Sequence, residues 1–332
     1  MLLLFVWVSF HLVSRFSTAQ AMTSWDVAAL RFAGAFFTVL PIVLWRGPPR
    51  IAPGRALAVL VFAGFGFPLG AFAGYQLAPA AHGATVMAAG LPVGTALLGS
   101  AFGLARIGGR RALSLCVVVA GSVLLAVATG GAWEGAWKGD LLFLGAVLSW
   151  SVYTVMVQRW RLPALDTMLA VGLAAAPVYL PVWWFALPST IERAPAAAVL
   201  FQTIFQGAFA AVLAGLLYTK AVTLIGPGPT TMIGAVVPAL SALAAWPLLG
   251  EALPPLGLLA VLLVSAGMVL GARGRPGALT PWSRVPSLGA QWPKRSASPS
   301  RRSTRTWARS TRTRIASGAP ARKRRPWARI WS

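Results

Sequence analysis

Long apolar stretches separated by short polar loops fill the chain up to about residue 272. Each stretch is 18 to 23 residues long and lacks the apolar–polar alternation of a half-exposed strand. The hydrocarbon core of a bilayer is about 30 Å thick, and a helix crosses it with about 20 apolar residues. The pattern therefore predicts ten transmembrane helices, at residues 1–19, 26–45, 56–78, 83–105, 112–129, 141–158, 166–187, 197–219, 227–249 and 254–272.

Composition agrees with a membrane protein. Hydrophobic residues make up 57% of the chain and charged residues 11%, whereas soluble proteins have roughly 25% charged residues. Cys116 is the only cysteine, so an intrachain disulfide and a thiolate metal cluster are excluded. We expect this residue to be a small packing residue inside the fifth predicted helix.

Basic residues are concentrated in the loops on one side of the predicted helices. Lys and Arg accumulate in cytoplasmic loops, so the distribution predicts that both termini are cytoplasmic. A cleaved signal peptide ending near Ala19-Gln20-Ala21 is the alternative for the first helix, although no positive segment precedes it. The loops after helices 2, 4, 6 and 8 contain Arg46, Arg50, Arg55, Arg106, Arg110, Arg111, Arg159, Arg161 and Lys220, and the opposite loops contain Lys138 and Arg193.

The composition changes sharply at about residue 273. Residues 273–332 contain 16 of the 29 Lys and Arg residues and no Asp or Glu. Such a segment cannot bury enough apolar surface to fold, which predicts a disordered basic tail. Three interpretations stay open: a non-functional or frame-shifted extension, binding to anionic lipid head groups with tryptophans at the interface, and binding to nucleic acid.

An internal repeat is visible when the chain is shifted by 146 residues. The shift aligns helices 4 and 5 with helices 9 and 10 and gives ten identities in 40 positions, among them Pro92 with Pro238 and Gly121 with Gly267. Five helices per repeat is an odd number, so the two repeats must be inverted relative to each other. Inverted repeats are typical of alternating access, with a substrate site near the midplane. The predicted fold is all-α, with repeats at 1–129 and 130–272.

Three local motifs resemble the EamA family of the drug/metabolite transporter superfamily. They are MTSWDVAALRF at 22–32, LYTKAV at 217–222, and Val237-Pro238 followed by LLGE at 248–251. The first half differs from the family pattern, because Ala105 and Arg106 stand where the second half has Glu251. The resemblance implies ten helices in two inverted repeats, location in the bacterial inner membrane, and export or exchange of small metabolites.

Polar and aromatic residues inside predicted helices are the candidates for a substrate pathway, because polar groups there usually face the protein interior. For Gln202 and Gln206 an interhelical hydrogen bond is an equal alternative, and for Arg31 we favour a structural role such as pairing with Glu251. Prolines at three positions predict kinks that serve gating or a fixed bend. The pathway candidates are Trp7, His11, Arg31, Tyr75, Gln76, Trp150, Tyr153, Gln202, Gln206 and Tyr218, and the prolines are Pro68, Pro92 and Pro238.

The chemistry of the chain points away from an enzyme. It has no phosphate-binding GxxxxGK[ST] loop, and His11, His82 and Cys116 do not form a metal or nucleophile motif. No cofactor is expected. No Asp or Glu lies near a helix midpoint, which favours facilitated diffusion or exchange over proton coupling, unless His11 or Glu251 carries protons.

The sequence thus predicts a secondary transporter of a small polar or amphipathic metabolite. The expected partners are a small-molecule substrate and membrane lipid, and homodimer formation stays open. The alternative is a non-transporting membrane scaffold that recruits anionic lipid or nucleic acid through the basic tail.

Overall fold

The computed structural model describes residues 2–103, 107–129 and 134–272, and these residues form one helical bundle. The predicted tail and the Ala105-Arg106 pair lie outside the described residues. The helices are α1 (Leu2–Ala19), α2 (Ser24–Arg46), α3 (Pro53–Leu77), α4 (Ala80–Ala101), α5 (Gly109–Thr129), α6 (Ala136–Trp160), α7 (Ala164–Ala186), α8 (Ala196–Ile225), α9 (Pro227–Met232, Ile233–Val236 and Val237–Leu249) and α10 (Pro255–Ala272).

The surface of the bundle is that of a membrane protein. Within the described residues, seven helices are long and apolar enough to cross a bilayer, namely α1 to α4 and α6 to α8. Large apolar side chains point outward, including Trp45 at 88% exposure and Phe185 at 85%. Such side chains avoid water by contacting lipid. The chain is therefore a multi-pass membrane protein. The expectation that Cys116 packs internally is wrong, because its side chain is exposed on α5.

Prolines and irregular turns divide two of the helices. In α3 a π-helical segment, Leu60–Gly66, ends two residues before Pro68, and in α9 a 3₁₀ segment, Ile233–Val236, ends two residues before Pro238. Proline has no N–H, and its ring collides with the carbonyl four residues earlier, so a change in local winding relieves the collision. Pro92, in contrast, lies inside the continuous helix α4.

Helices α5 and α10 pack along each other through a reciprocal pair of glycines. A Cβ atom on Gly121 would lie 2.7 Å from Cγ2 of Val264, and one on Gly267 would lie 2.9 Å from Cγ2 of Val118. The two contacts are equivalent in the internal repeat, because Gly267 lies 146 residues after Gly121 and Val264 lies 146 residues after Val118. Small residues let helix backbones approach closely in lipid, where association depends on packing.

A second close crossing joins α2 to α8. A Cβ on Gly34 would lie 2.1 Å from the carbonyl oxygen of Thr203, and one on Gly207 would lie 2.4 Å from the carbonyl carbon of Gly34. Both obstacles are backbone atoms, which cannot rotate away as a side chain would. The π-helical segment of α8, Thr203–Leu213, contains this crossing.

The two ends of the bundle differ in charge. Arg46, Arg55 and Arg161 lie at one end, which we call the arginine-rich end, and Asp26 and Glu251 lie at the opposite end, which we call the carboxylate end. Two carboxylates at the carboxylate end, Asp26 and Glu251, are buried, with exposures of 0% and 7%. Buried carboxylates need hydrogen-bond donors, and each of these connects several helices.

Asp26 joins the start of α2 to the loop after α7. Its carboxylate forms a capping box with Thr23 at the start of α2. Its oxygens accept hydrogen bonds from the backbone N–H of Thr23 at 2.9 Å, Nε1 of Trp183 at 3.0 Å, Oγ of Ser189 at 2.6 Å and the backbone N–H of Thr190 at 3.1 Å. This carboxylate therefore serves the structure and not the substrate.

We expect the Asp26→Asn substitution to lower the free energy of unfolding by on the order of 3 kcal/mol, because an amide nitrogen cannot accept bonds from these buried donors. Thermal or denaturant unfolding of the detergent-solubilised protein measures the effect. Glu192→Gln is the control, because Glu192 is exposed and its substitution is expected to change stability by less than about 0.5 kcal/mol. Equal stability of both variants would contradict the assignment.

Candidate functional site

A cavity lies in the middle of the bundle between the first and second halves of the chain. Its volume is about 90 Å³. Helices α1 to α4 supply one wall, and α6, α8 and α9 supply the other. The lining residues are Trp7, Phe10, His11, Arg31, Phe67, Met87, Ala88, Leu91, Val147, Trp150, Ala210, Ala214, Gly215, Thr231, Gly234 and Val237.

Aromatic rings form one side of the cavity. The ring centroids of Trp150 and Phe67 are 4.7 Å apart, and Tyr218 lies 5.3 Å from Trp150 and 5.9 Å from Trp7. These distances are typical of attractive ring pairs. Trp7 and Trp150 contact the cavity, whereas Tyr218 supports them from behind. The rings are tilted by 50° to 56° to one another and together offer an apolar aromatic surface to a ligand.

The hydroxyls of two predicted site tyrosines are used within the second half of the chain. Tyr153 shares a 2.5 Å hydrogen bond with Thr219, and Tyr218 shares a 2.8 Å hydrogen bond with Thr154. Both tyrosines are fully buried, and neither lines the cavity. They fix α6 against α8, and thereby the position of Trp150.

Arg31 is the basic residue of the cavity. Its side chain enters from α2, the residue is only 5% exposed, and Nη1 donates a 3.2 Å hydrogen bond to the backbone carbonyl of Gln206. The guanidinium carbon lies 6.0 Å from the centre of the Phe10 ring. Among the residues that the structure describes, no carboxylate lies within 4.0 Å of this guanidinium.

The suggested pairing of Arg31 with Glu251 is wrong. Glu251 lies past the end of α9 and binds Nε of Arg15 at 2.6 Å, while its second oxygen accepts the backbone N–H of Ala80 at 2.8 Å. Arg15 is on α1, close to the same end of the bundle as Glu251, whereas Arg31 lies about two helical turns inside α2. Sequence alone could not choose between the two arginines, because both face the bundle interior.

His11 connects the cavity to the carboxylate end. Its Nδ1 is hydrogen-bonded to the hydroxyl of Tyr75. The backbone carbonyl of Tyr75 accepts a 2.8 Å hydrogen bond from Nη1 of Arg15, whose Nε binds Glu251. Polar groups thus continue from the cavity wall to the carboxylate end, although Tyr75 itself does not line the cavity.

Three other predicted site residues lie away from the cavity. Gln202 donates to the carbonyl of Val13 at 3.1 Å, and Gln206 donates to Oγ of Ser14 at 3.1 Å, so both amides join α8 to α1. This geometry fits the interhelical alternative. Gln76 is exposed at the end of α3, where Nε2 donates to the carbonyl of Met22 at 3.3 Å.

Two of the three predicted prolines affect the cavity through their neighbours. Proline removes the N–H that would bind the carbonyl four residues earlier. For Pro92 and Pro238 these carbonyls belong to Ala88 and Gly234, and both residues line the cavity. The two positions are again 146 residues apart. Pro68 is buried just after the π-helical segment of α3.

The sequence prediction did not include most of the residues that line the cavity, because it was restricted to polar and aromatic residues. Ala210, Ala214 and Gly215 line the cavity by being small, and Gly234 does so where α9 becomes a 3₁₀ helix. Phe67 could have been identified, since it precedes a predicted helix-kinking proline. Thr231 could also have been identified, because it is identical to Thr85 at the corresponding position of the repeat.

Comparison with known proteins gives a family and a fold. Residues 137–272 match the EamA-like transporter family. No curated protein matches the chain. A solved structure described only as "Crystal structure of protein" is 21% identical, covers 81% of this chain and 93% of its own, and has a TM-score of 0.58. That likeness shows a shared fold. The second half of the chain thus resembles the EamA-like transporter family, part of the drug/metabolite transporter superfamily.

Proposed function

We propose that the protein is an inner-membrane secondary transporter that exports or exchanges a small metabolite, such as an amino acid or another amphipathic compound, by alternating access. The observation that carries the proposal is the central cavity, because both halves of the chain line it. A site between two halves becomes accessible from either side when the halves rock against each other. The EamA match of the second half supports the same function, because members of that family are transporters and not enzymes.

The packing of the bundle supports ten membrane spans in two inverted repeats. If each helix is paired with the one five positions later, α2 packs on its counterpart α7, α4 on α9, and α5 on α10. The contact of α6 with α4 has its counterpart in the contact of α1 with α9. The reciprocal glycines Gly121 and Gly267 fit a two-fold axis between α5 and α10. In this proposal the repeats are 1–129 and 130–272.

The charge difference between the ends supports an orientation. Under the positive-inside rule the arginine-rich end faces the cytoplasm, as do both termini, and the carboxylate end faces outward. The contacts of Asp26 and Glu251 then hold the outer ends of the helices together. Opening the cavity to the outside requires these contacts to separate or to move as a unit.

The positions of the carboxylates support exchange or facilitated diffusion. None of the cavity-lining residues is Asp or Glu. Proton-driven carriers usually relay protons through buried acidic groups. A proton-coupled mechanism would have to use His11, which lines the cavity, or Glu251, which binds Arg15 at the carboxylate end. Substrate-driven proton movement that is lost in His11→Ala or Glu251→Gln would contradict exchange without protons.

The test is flux through the full-length protein in proteoliposomes. Counterflow of a pooled set of labelled amino acids and small organic acids and amines, under imposed pH and potential gradients, is expected to be saturable. A variant lacking residues 273–332 is expected to retain this flux, because the cavity lies in the described bundle. Absence of flux from folded protein, together with loss of lipid or nucleic-acid binding in the truncated variant, would favour the scaffold alternative instead.

A further inference from the structure

Arg31 is a buried cation whose donors are mostly unused. A guanidinium has five N–H donors and is charged at neutral pH, and here one hydrogen bond, to the carbonyl of Gln206, engages it within the described part of the chain. A charged side chain inside a membrane protein is costly unless it is paired. Within the residues that the structure describes, no carboxylate neutralises this charge, which leaves the position open to an anionic ligand in the cavity.

The carboxylates that are buried or half-buried in the bundle already have other donors. Glu251 binds Arg15, Asp166 binds Nη1 of Arg46 at 2.7 Å, and Asp140 lies 3.0 Å from Nδ1 of His82. Asp26 is surrounded by the N–H and O–H donors described above. None of these acids can reach Arg31 without leaving its present contacts. Arg31 therefore differs from Arg15 and Arg46, whose side chains form ion pairs within the bundle.

The rest of the cavity suits an apolar group. Trp7, Trp150 and Phe67 provide rings, while Met87, Leu91 and Val147 provide aliphatic surface. Two other polar side chains have partners, since Thr231 donates to the carbonyl of Gly228 at 2.9 Å and Nδ1 of His11 is bonded to Tyr75. The cavity thus combines one cationic group with aromatic and aliphatic walls.

We propose that Arg31 binds the anionic group of the transported substrate, and that this substrate is a small monocarboxylate with an aromatic or branched aliphatic body. The inference rests on the proposed transport function and specifies its substrate class. A carboxylate matches the guanidinium fork with two parallel hydrogen bonds. It also leaves no net charge, whereas a phosphate dianion would leave one uncompensated negative charge against the apolar wall.

Three isosteric probes test the charge requirement. Phenylacetate, phenylacetamide and 2-phenylethylamine have similar bodies with negative, neutral and positive ends. The set 4-methylpentanoate, 4-methylpentanamide and 4-methylpentylamine repeats the comparison with a branched body. Binding to the full-length protein is measured as the shift in thermal unfolding at fixed ionic strength, and transport is measured as counterflow in proteoliposomes. At least one of the two carboxylates is expected to stabilise the protein and to be transported, with at least about tenfold preference over its amide and amine.

Substitutions of Arg31 test whether its side chain binds the carboxylate of the probes. Arg31→Gln is expected to reduce carboxylate binding at least about tenfold, and Arg31→Lys is expected to retain part of it, because lysine keeps the charge but not the fork. Arg193→Gln is the matched control, since Arg193 is exposed in the loop between α7 and α8. Elution profile and unfolding temperature show whether each variant folds, and the probe comparison on the unaltered protein does not depend on any variant.

The outcomes separate this inference from the proposed function. Preferred binding of an amide or amine, equal carboxylate binding by a folded Arg31→Gln variant, or no binding of any probe would overturn the assignment of Arg31. Transport of an amine without transport of carboxylates would keep the transporter and reject the substrate class. Selective carboxylate binding that depends on Arg31, without flux of any compound, would keep the site and reject transport.

Discussion

Replacing Gly207 with alanine is expected to lower the free energy of unfolding by more than about 3 kcal/mol. The new methyl group would lie 2.4 Å from the backbone of Gly34, so α2 and α8 would have to move apart along the whole crossing. Gly34→Ala is expected to have a similar effect, because its methyl group would lie 2.1 Å from the carbonyl oxygen of Thr203. Denaturant unfolding in detergent measures both variants.

Gly145→Ala is the matched control for these substitutions. Gly145 lies in α6, and a Cβ atom added there has no atom within 4 Å apart from its own helix. Alanine favours a helix over glycine by about 0.5–1 kcal/mol, so this variant is expected to be as stable as the original protein or slightly more stable. If Gly207→Ala behaved like Gly145→Ala, the close approach of α2 and α8 would be contradicted.

Helices could be located from the sequence because a bilayer imposes a simple rule. Continuous apolar length predicts a span whatever its neighbours are, and the predicted segment at 166–187 lies within two residues of the observed α7, Ala164–Ala186. The rule does not predict winding within a helix. The segment predicted as one helix at 227–249 is three consecutive segments in the structure, because Pro238 disturbs the winding ahead of it.

Contacts across the bundle could not be predicted, because hydropathy does not show which way a helix faces. The sequence makes Gln202 and Gln206 candidates for the substrate pathway, but in the structure both side chains meet α1 and not the cavity. Arg15 is not among the site residues that the sequence predicts, yet it pairs with Glu251 across 236 positions of sequence. Small lining residues such as Gly215 give no chemical signal at all.

Arg31 shows how the structure changes the meaning of a residue that the sequence identified. A buried arginine in a helix predicts either a structural pair or a ligand site. The assignment of Glu251 to Arg15 removes the suggested pair, and the location of Arg31 at the cavity wall favours the ligand. The choice between the two roles of Arg31 thus depends on the partner of Glu251 and on the position of the cavity, and neither can be read from the sequence around Arg31.

The ion pair between Arg15 and Glu251 is expected to be strongly coupled, because it is mostly buried. Its side chains are 18% and 8% exposed, and the distance from Nε to Oε1 is 2.6 Å. Removing one member of a buried pair leaves a charge without compensation and costs about 3–5 kcal/mol. Glu251→Leu is therefore expected to destabilise the bundle by this amount. Glu251→Gln is expected to cost less, because its amide oxygen can still accept the N–H of Ala80.

A double-mutant cycle with Arg15→Met and Glu251→Leu measures the coupling directly. We expect a coupling energy of about 2 kcal/mol or more. Arg46 and Asp166 provide the matched comparison, because their separation is a similar 2.7 Å but the Arg46 side chain is 36% exposed, and exposed pairs contribute about 0.2–1 kcal/mol. Additive effects of Arg15→Met and Glu251→Leu would show that the pair does not hold the carboxylate end together. A large coupling energy, accompanied by faster counterflow in Glu251→Gln, would identify the pair as the contact that must break for the cavity to open at that end.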